Sequence, residues 1–371
     1  RNNSFSLLFM PNVSGDNVAR TGISTKDLNH PQSARQDIYQ DYESRRQLIF
    51  QVRSEHLLLV SQIKLEWNAS YTKGNSNSPD IRDVFMPISD QKNGNDLGGQ
   101  RIWQYFSDNI LDTRLSAEMP LNKRHKSLIR NIKIGIDFLR NDKKSDQFNY
   151  YIREDYDEWF TPGHLTEDPF GLDVFAIKPY TTGGVNAYAV QKYYSYIGAP
   201  VNHNFGYSMV SAAYALGDME LTPRLRLMGG VRIEQTNIFW DVDRYDSLGL
   251  PTNDPRRHWY DSRVLNNPVY INTANLLPSV NMVYKLKNEA VSPLLLRFNF
   301  SKSLARPSLR ELASMNTYDF DLESATLGNP NLSLEYINNY DMRLEYYWKT
   351  GDYFSFSGFY KDFTHNIELV N

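Results

Sequence analysis

The 371-residue chain carries 40 basic and 43 acidic residues, a formal charge of −3, so it lacks the basic excess of a protein that neutralises a phosphate backbone, and no nucleic acid partner is expected. Cysteine is absent, which removes disulfides, thiolate nucleophiles and cysteine metal sites. Mean hydropathy is −0.55 and no apolar run approaches the roughly 18–20 residues of a spanning helix, but alternating strands average to the same polar composition, so a membrane barrel stays open.

Aromatic residues make up 13% of the chain, with 25 Tyr, as in the interfacial girdles of barrels or in glycan-binding sandwiches. The chain starts at Arg1 without an initiator Met or an apolar signal segment, and a processed or partial product is expected.

In chain order, the first alternating segment holds Leu48, Phe50 and Val52. The next, Ile63 to Tyr71, alternates for nine positions, as a strand with one apolar and one polar face does. Ile132, Ile134, Ile136 and Phe138 then oppose Lys133, Gly135 and Asp137, and Leu225, Leu227, Val231 and Ile233 oppose Arg224, Arg226, Arg232 and Glu234. Leu294, Leu296, Phe298 and Phe300 follow, then Tyr340, Met342, Leu344 and Tyr346 against Asp341, Arg343 and Glu345. No helix of three turns and no solenoid repeat is evident.

The connections fall into two classes that take turns. Short ones lie near His56 to Gln62, Glu118 to Lys126, Gly217 to Pro223, Leu286 to Pro293 and Lys349 to Asp352. Long polar and aromatic segments lie near Pro11 to Asp37, Thr72 to Arg101, Asn141 to Asn204, Thr236 to Ala274 and Ser303 to Asn338. In an antiparallel meander every second connection is at the same end, so this alternation puts tight turns at one end and long loops at the other, as in outer-membrane barrels. A Greek-key sandwich has no reason to keep it. Ile63, Leu65, Trp67, Ala69 and Tyr71 are therefore expected to face lipid, and Lys64, Glu66, Asn68 and Ser70 the lumen. The reading is all-β: an antiparallel transmembrane β-barrel with about eleven strands here. Open edges in lipid are forbidden, so residues 1–371 are expected to be a contiguous part of a larger barrel.

Catalytic and metal signatures are missing. The seven histidines are scattered without metal spacing, and neither a nucleophile elbow nor a phosphate loop occurs. No enzyme activity, resident metal or cofactor is expected. Carboxylates of Glu154 to Glu158, with Glu167 and Asp168, suit Ca2+ or a cationic ligand in an extracellular loop, although a solvated acidic face is the commoner fate of such a run. Asp241 to Asp246 begins like a calcium loop but has Tyr245 where an oxygen ligand is needed. Loops carry specificity on a rigid scaffold. The candidate ligand or partner contacts are Tyr150, Tyr151, Tyr156, Trp159 and Phe160 in the longest loop and Arg256, Arg257, His258, Trp259 and Tyr260 in the next, with packing of the loops together as the simpler role. Arg306, Arg310 and Glu311 suggest a charge network, or simply a structural element where strand passes into loop; Pro307 ends the strand, and Gly328 to Asn331 is turn chemistry.

Several segments carry a family likeness. GGVRIE (Gly229 to Glu234), NLLPSV (Asn275 to Val280), FSKSLARPSLRELA (Phe300 to Ala313), LGNPNL (Leu327 to Leu332) and NNYDMRLEYYW (Asn338 to Trp348) occur in order. Together they resemble the C-terminal barrel half of TonB-dependent outer-membrane receptors in the form common among Bacteroidetes-type bacteria, and an upstream hairpin at Leu48 to Asp80 extends the resemblance. It implies a 22-stranded barrel with an N-terminal plug, which takes up a scarce nutrient such as a siderophore, glycan or peptide and is driven through TonB. The implied partners are outer-membrane lipid, the TonB system acting through the parent protein, and a surface lipoprotein or another outer-membrane subunit. The implied location is the bacterial outer membrane. No plug domain, TonB box or terminal aromatic strand is recognisable here. A structural or assembly barrel of a larger outer-membrane complex is the second reading, and a secreted glycan-binding sandwich the third.

Overall fold

The computed structural model describes residues 3–25, 34–87, 98–121, 128–153, 178–182, 185–189, 202–242, 268–287, 289, 292–312, 316–319, 324–348 and 351–368. The strands are β1 (Asn3–Thr25), β2 (Ala34–Leu58), β3 (Ile63–Pro87), β4 (Gly98–Pro120), β5 (Ile129–Arg153), β6 (Lys178–Thr182), β7 (Val185–Ala189), β8 (Asn202–Thr222), β9 (Leu225–Val242), β10 (Val269–Lys287) and β11 (Leu294–Ala305). One short helix, α1 (Leu309–Leu312), precedes β12 (Asn316–Asp319), β13 (Ser324–Leu327), β14 (Glu335–Tyr347) and β15 (Tyr353–Thr364). Eleven of them form one antiparallel sheet in the order β1-β2-β3-β4-β5-β8-β9-β10-β11-β14-β15, while β6–β7 and β12–β13 are separate hairpins within long connections. Sequential neighbours pair throughout the large sheet, as a meander requires.

The sheet separates its two faces cleanly. Ser54, Trp67, Leu115, Ile136, Ala213, Ile233 and Leu276 stand opposite one another in register from β2 to β10. Trp67, Leu115, Ile136, Ile233 and Leu276 of this row are 43–57% exposed, which is unfavourable in water and favourable in hydrocarbon. One residue along, the row on the other face reads Arg53, Asn68, Arg114, Asp137, Ala212, Glu234 and Asn275. The expectation for Ile63 to Tyr71 therefore holds: its apolar members share the outer row and its polar members the inner one. Rings meet across strands on the outer face, as Phe9 with Phe50 at 4.8 Å and Phe300 with Tyr340 at 5.1 Å.

Tight turns gather at one end, where Gln62 takes φ 56 and donates its N–H to Leu58 at 2.6 Å, and where Gly351 takes φ 93. At the other end the strands run farther than the alternation suggested. β1 reaches Thr25, β3 reaches Pro87 and β5 reaches Arg153, well into segments read from the sequence as loops. The reason is physical. Outside the membrane both faces of a strand are polar, so hydropathy stops alternating while backbone hydrogen bonding continues. A membrane needs only about 9–11 residues of each strand, and the rest stands above it as a ribbon.

The lumenal wall and its docked segment as candidate functional site

The inner row holds a chain of ion pairs that crosses the sheet. Arg114 on β4 lies 3.0 Å from Asp137 on β5, which also accepts from Arg232 on β9. Arg232 lies 2.9 Å from Glu234, and Glu234 pairs in turn with Arg306 beyond the end of β11. Arg306 also donates to the Thr236 hydroxyl at 3.3 Å. The carboxylates are the deeper partners: the Glu234 side chain is 6% exposed and that of Asp137 13%, against 29% for Arg232 and 28% for Arg306. Burial, and then the adjacent Arg232, push the Arg306 guanidinium below its ordinary value, so a counterion beside it is a structural requirement. A second cluster centres on Glu345 of β14. It receives Arg297 and Arg343 at 2.9 Å each and the Tyr347 hydroxyl at 3.2 Å.

The segment after β11 turns onto this wall. Pro307 follows strand end Ala305 and cannot donate to a ladder. Ser308 then opens α1 with a capping box: the Glu311 N–H reaches the Ser308 hydroxyl at 3.2 Å, and the Ser308 N–H reaches the Glu311 carboxylate at 2.6 Å. Leu309 and Leu312 of this single turn pack with Ile238 and Trp240 of β9 and Val269 of β10 in the one buried apolar cluster found among the described residues, flanked by Ile271 and Leu332. Ile238 and Trp240 share the inward parity of Glu234 and Thr236, so the cluster sits on the lumenal side of the extracellular end. Fully burying such side chains contributes about 1.5–3 kcal/mol each. Gly206 on β8 makes room for it, because a Cβ there would overlap the Phe239 carbonyl and the Trp240 ring. The segment closes with an Asn turn, the Asn331 N–H donating to the Asn329 side chain at 2.9 Å, and the Tyr336 hydroxyl donates to Asn275 at 2.9 Å.

These contacts decide between the two sequence readings of Arg306, Arg310 and Glu311. They do not form a network with one another. Arg306 pairs with Glu234, Glu311 caps α1, and exposed Arg310 makes no ion pair among the described residues. The element is structural. Of the predicted contact residues, Tyr150 and Tyr151 continue β5, with backbones opposite Arg101 and Gln100 of β4. Tyr156, Trp159, Phe160, Arg256, Arg257, His258, Trp259 and Tyr260 lie outside the described residues, as do the carboxylates of 154–168 and residues 243–246. Among the described residues no group of three His, Asp or Glu could hold a metal ion. Sequence reasoning placed Asp137, Arg232 and Glu234 on a polar face without joining them. Asp137 and Arg232 are 95 positions apart and Thr236 and Arg306 70, so only the strand register brings them together.

The family model described as TonB dependent receptor-like, beta-barrel matches residues 9–371. No curated protein matches the chain significantly. Among solved structures, the alcaligin outer membrane receptor FauA from Bordetella pertussis is 11% identical, with a TM-score of 0.45 over 100% of this chain and 48% of that one. The siderophore receptor PiuA from Acinetobacter baumannii is 10% identical, with a TM-score of 0.46 over 94% and 48%. The chain thus spans about half the length of the solved structures it resembles. With a family match over nearly all its residues, an apolar outer face and a polar, ion-paired inner one, the chain belongs to the TonB-dependent receptor β-barrel family of the bacterial outer membrane.

Proposed function

We propose that the chain is barrel wall from an energised receptor, of the Bacteroidetes-type form, that imports a scarce nutrient such as a siderophore, glycan or peptide. The observation that carries this reading is the inner row of ion pairs from Arg114 to Arg306, with a segment docked against it. A wall whose charges are already paired among themselves offers a polar surface without a fixed strong trap, which suits passage of a solute rather than its permanent retention. Among the described residues β1 and β15 each pair on one side only, which supports continuation into a 22-stranded parent barrel, because unpaired backbone is not tolerated in lipid. The parent would supply the plug and the contact with TonB, and the long loops would select the solute, with Ca2+ or a surface lipoprotein as further partners there.

The test is uptake in cells carrying or lacking the parent gene, with labelled ferric siderophores, oligosaccharides and peptides, before and after a protonophore. Import of one class that needs both the gene and the proton-motive force is the expected result. If no class is imported but an outer-membrane complex falls apart when the gene is deleted, the barrel is an assembly component and the transport reading fails.

A further inference from the structure

On β1 to β4 the acidic residues and the lipid side are strictly separated. Below the β3 bulge at Ser78/Ile81, the carboxylates of these strands, among them Asp16, Glu43, Glu66 and Asp112, fall at inward register positions. The outward positions of the same strands hold none. They do hold two cations. Arg46 on β2 lies opposite Val13 and Asn75, and Lys73 on β3 lies opposite Leu48 and Asn109, so the two are diagonal neighbours on the outer face, within reach of one another's long side chains. Both are exposed, and neither makes an ion pair or a hydrogen bond among the described residues.

Their height on the wall is informative. The outward apolar run of β3 ends at Tyr71, and Lys73 is the next outward residue; on β2 the run ends at Leu48, and Arg46 is next. Tight turns mark the other end as periplasmic, so both cations stand where hydrocarbon gives way to the headgroups of the extracellular leaflet. β5 provides an internal comparison. Its outward cations at the same border have partners on their own strand: Arg140 lies 2.8 Å from Asp142, and Lys144 lies 3.3 Å from Asp146. On β11 the outward Lys302 lies over the Tyr336 ring at 5.2 Å, whereas among the described residues the outward cations of β2–β3 have no such partner on the protein.

We infer that Arg46 and Lys73 form a binding site for the phosphate group of an anionic lipid in the extracellular leaflet. The Arg46 guanidinium offers a fork that matches two phosphate oxygens, and the Lys73 ammonium adds a point charge beside it. Val13 and Leu48 lie against the acyl side of the same lipid. The inference depends on membrane orientation and not on which solute the receptor imports.

The experiment uses the full-length receptor in detergent, native mass spectrometry, and lipid A in diphosphorylated and dephosphorylated forms as probes. The double variant R46Q/K73Q should bind the diphosphorylated form about thirtyfold more weakly, each surface cation contributing roughly fivefold. The pair R45Q/R53Q, which removes the same charge from the inner face, should bind like the parent, and millimolar inorganic phosphate should not displace the lipid. Equal weakening in both pairs, retained binding in R46Q/K73Q, or equal binding of dephosphorylated lipid A would each overturn the inference. Retained heat-modifiable electrophoretic mobility in both variants confirms that the barrel is folded. Solute uptake is a separate readout, so failure here leaves the transport reading untouched.

Discussion

Replacing Glu234 by Gln keeps the shape of the side chain and removes the charge that holds Arg306 and Arg232. Removing one partner of a fully buried pair costs about 3–5 kcal/mol. Glu234 is nearly enclosed, but both arginines keep more than a quarter of their side-chain surface and hydrate in part, which reduces the cost to about 2–3 kcal/mol. The loss falls on the docked segment, because the backbone ladder of β9 with β8 and β10 does not involve the carboxylate. Two amides report on that segment: Leu312 N–H bonds to the Ser308 carbonyl at 3.1 Å and Asn329 N–H to the Glu311 carbonyl at 2.6 Å. Hydrogen exchange at these amides should accelerate about 30- to 150-fold in Glu234→Gln, while amides of β8 to β10 keep their protection. Exchange within threefold of the parent at both positions would show that the apolar cluster alone holds the segment down, and the ion pair would be an ornament of the wall.

Ile136→Lys places a charge at an outward position flanked in register by Leu115 and Ala213; it should cost about 2–4 kcal/mol in refolding into lipid vesicles measured by urea titration, and an unchanged midpoint would mean that this face does not meet hydrocarbon. Ser308→Ala removes half of the capping box and should loosen α1 by about 1 kcal/mol, read as faster exchange of the Leu312 amide without a change in barrel stability. Tyr39, above the membrane on β2, has a hydroxyl pushed up to about 12, first by burial and then by Asp41. A raised folded value means that the folded state holds its proton longer, so its contribution is complete below the ordinary value near 10 and fades as pH rises to about 12. The absorbance of phenolate in the parent minus Tyr39→Phe should therefore titrate near 12, and a midpoint near 10 would remove the burial argument. Exchanging residues 154–160 for a Gly/Ser linker, which spares the β5 ladder, should reduce uptake with the barrel intact; unchanged uptake would discharge that loop from solute selection.

Period-two alternation was enough to read the lipid face, because hydrocarbon imposes one polarity on every second residue from Ile63 to Tyr71. It failed above the membrane. Arg35 to Tyr42 and Asn75 to Arg82 are strand in the structure, yet water on both sides leaves no pattern in their side chains. Order of turns was legible for a related reason: tight turns need particular residues, as at Gly351, whereas long connections do not. The candidate contact residues were chosen for aromatic and cationic character in long loops, a criterion that ignores register and therefore passed over Asp137, Arg232 and Glu234. FSKSLARPSLRELA yielded half its meaning. Pro307 and the Ser308–Glu311 spacing announce a strand end and a helix start, but the partner of Arg306 is on another strand and leaves no local trace.

Continuity of the inner row depends on one small residue. Asp137 on β5 and Glu234 on β9 are separated by β8, and the β8 residue opposite both is Ala212. Its methyl group leaves the space through which Arg232 crosses to Asp137. Beside it, Tyr214 lies over Gly135, where an added Cβ would come within 2.5 Å of the ring, so the large side chain of β8 is taken up by a glycine instead of blocking the guanidinium. A register slip of one residue between β8 and either neighbour would bring Ser211 or Ala213 into the crossing and turn Glu234 outward toward lipid, where an unpaired carboxylate is costly. The ion pairs therefore act less through their net free energy, which is small for partly exposed arginines, than by making the wrong register expensive. Barrel strands that alternate as regularly as these have many near-equivalent registers to choose from. A charge chain that closes in only one of them, and that ends on the segment covering Trp240, ties the pairing of the wall to the docking of its inward loop.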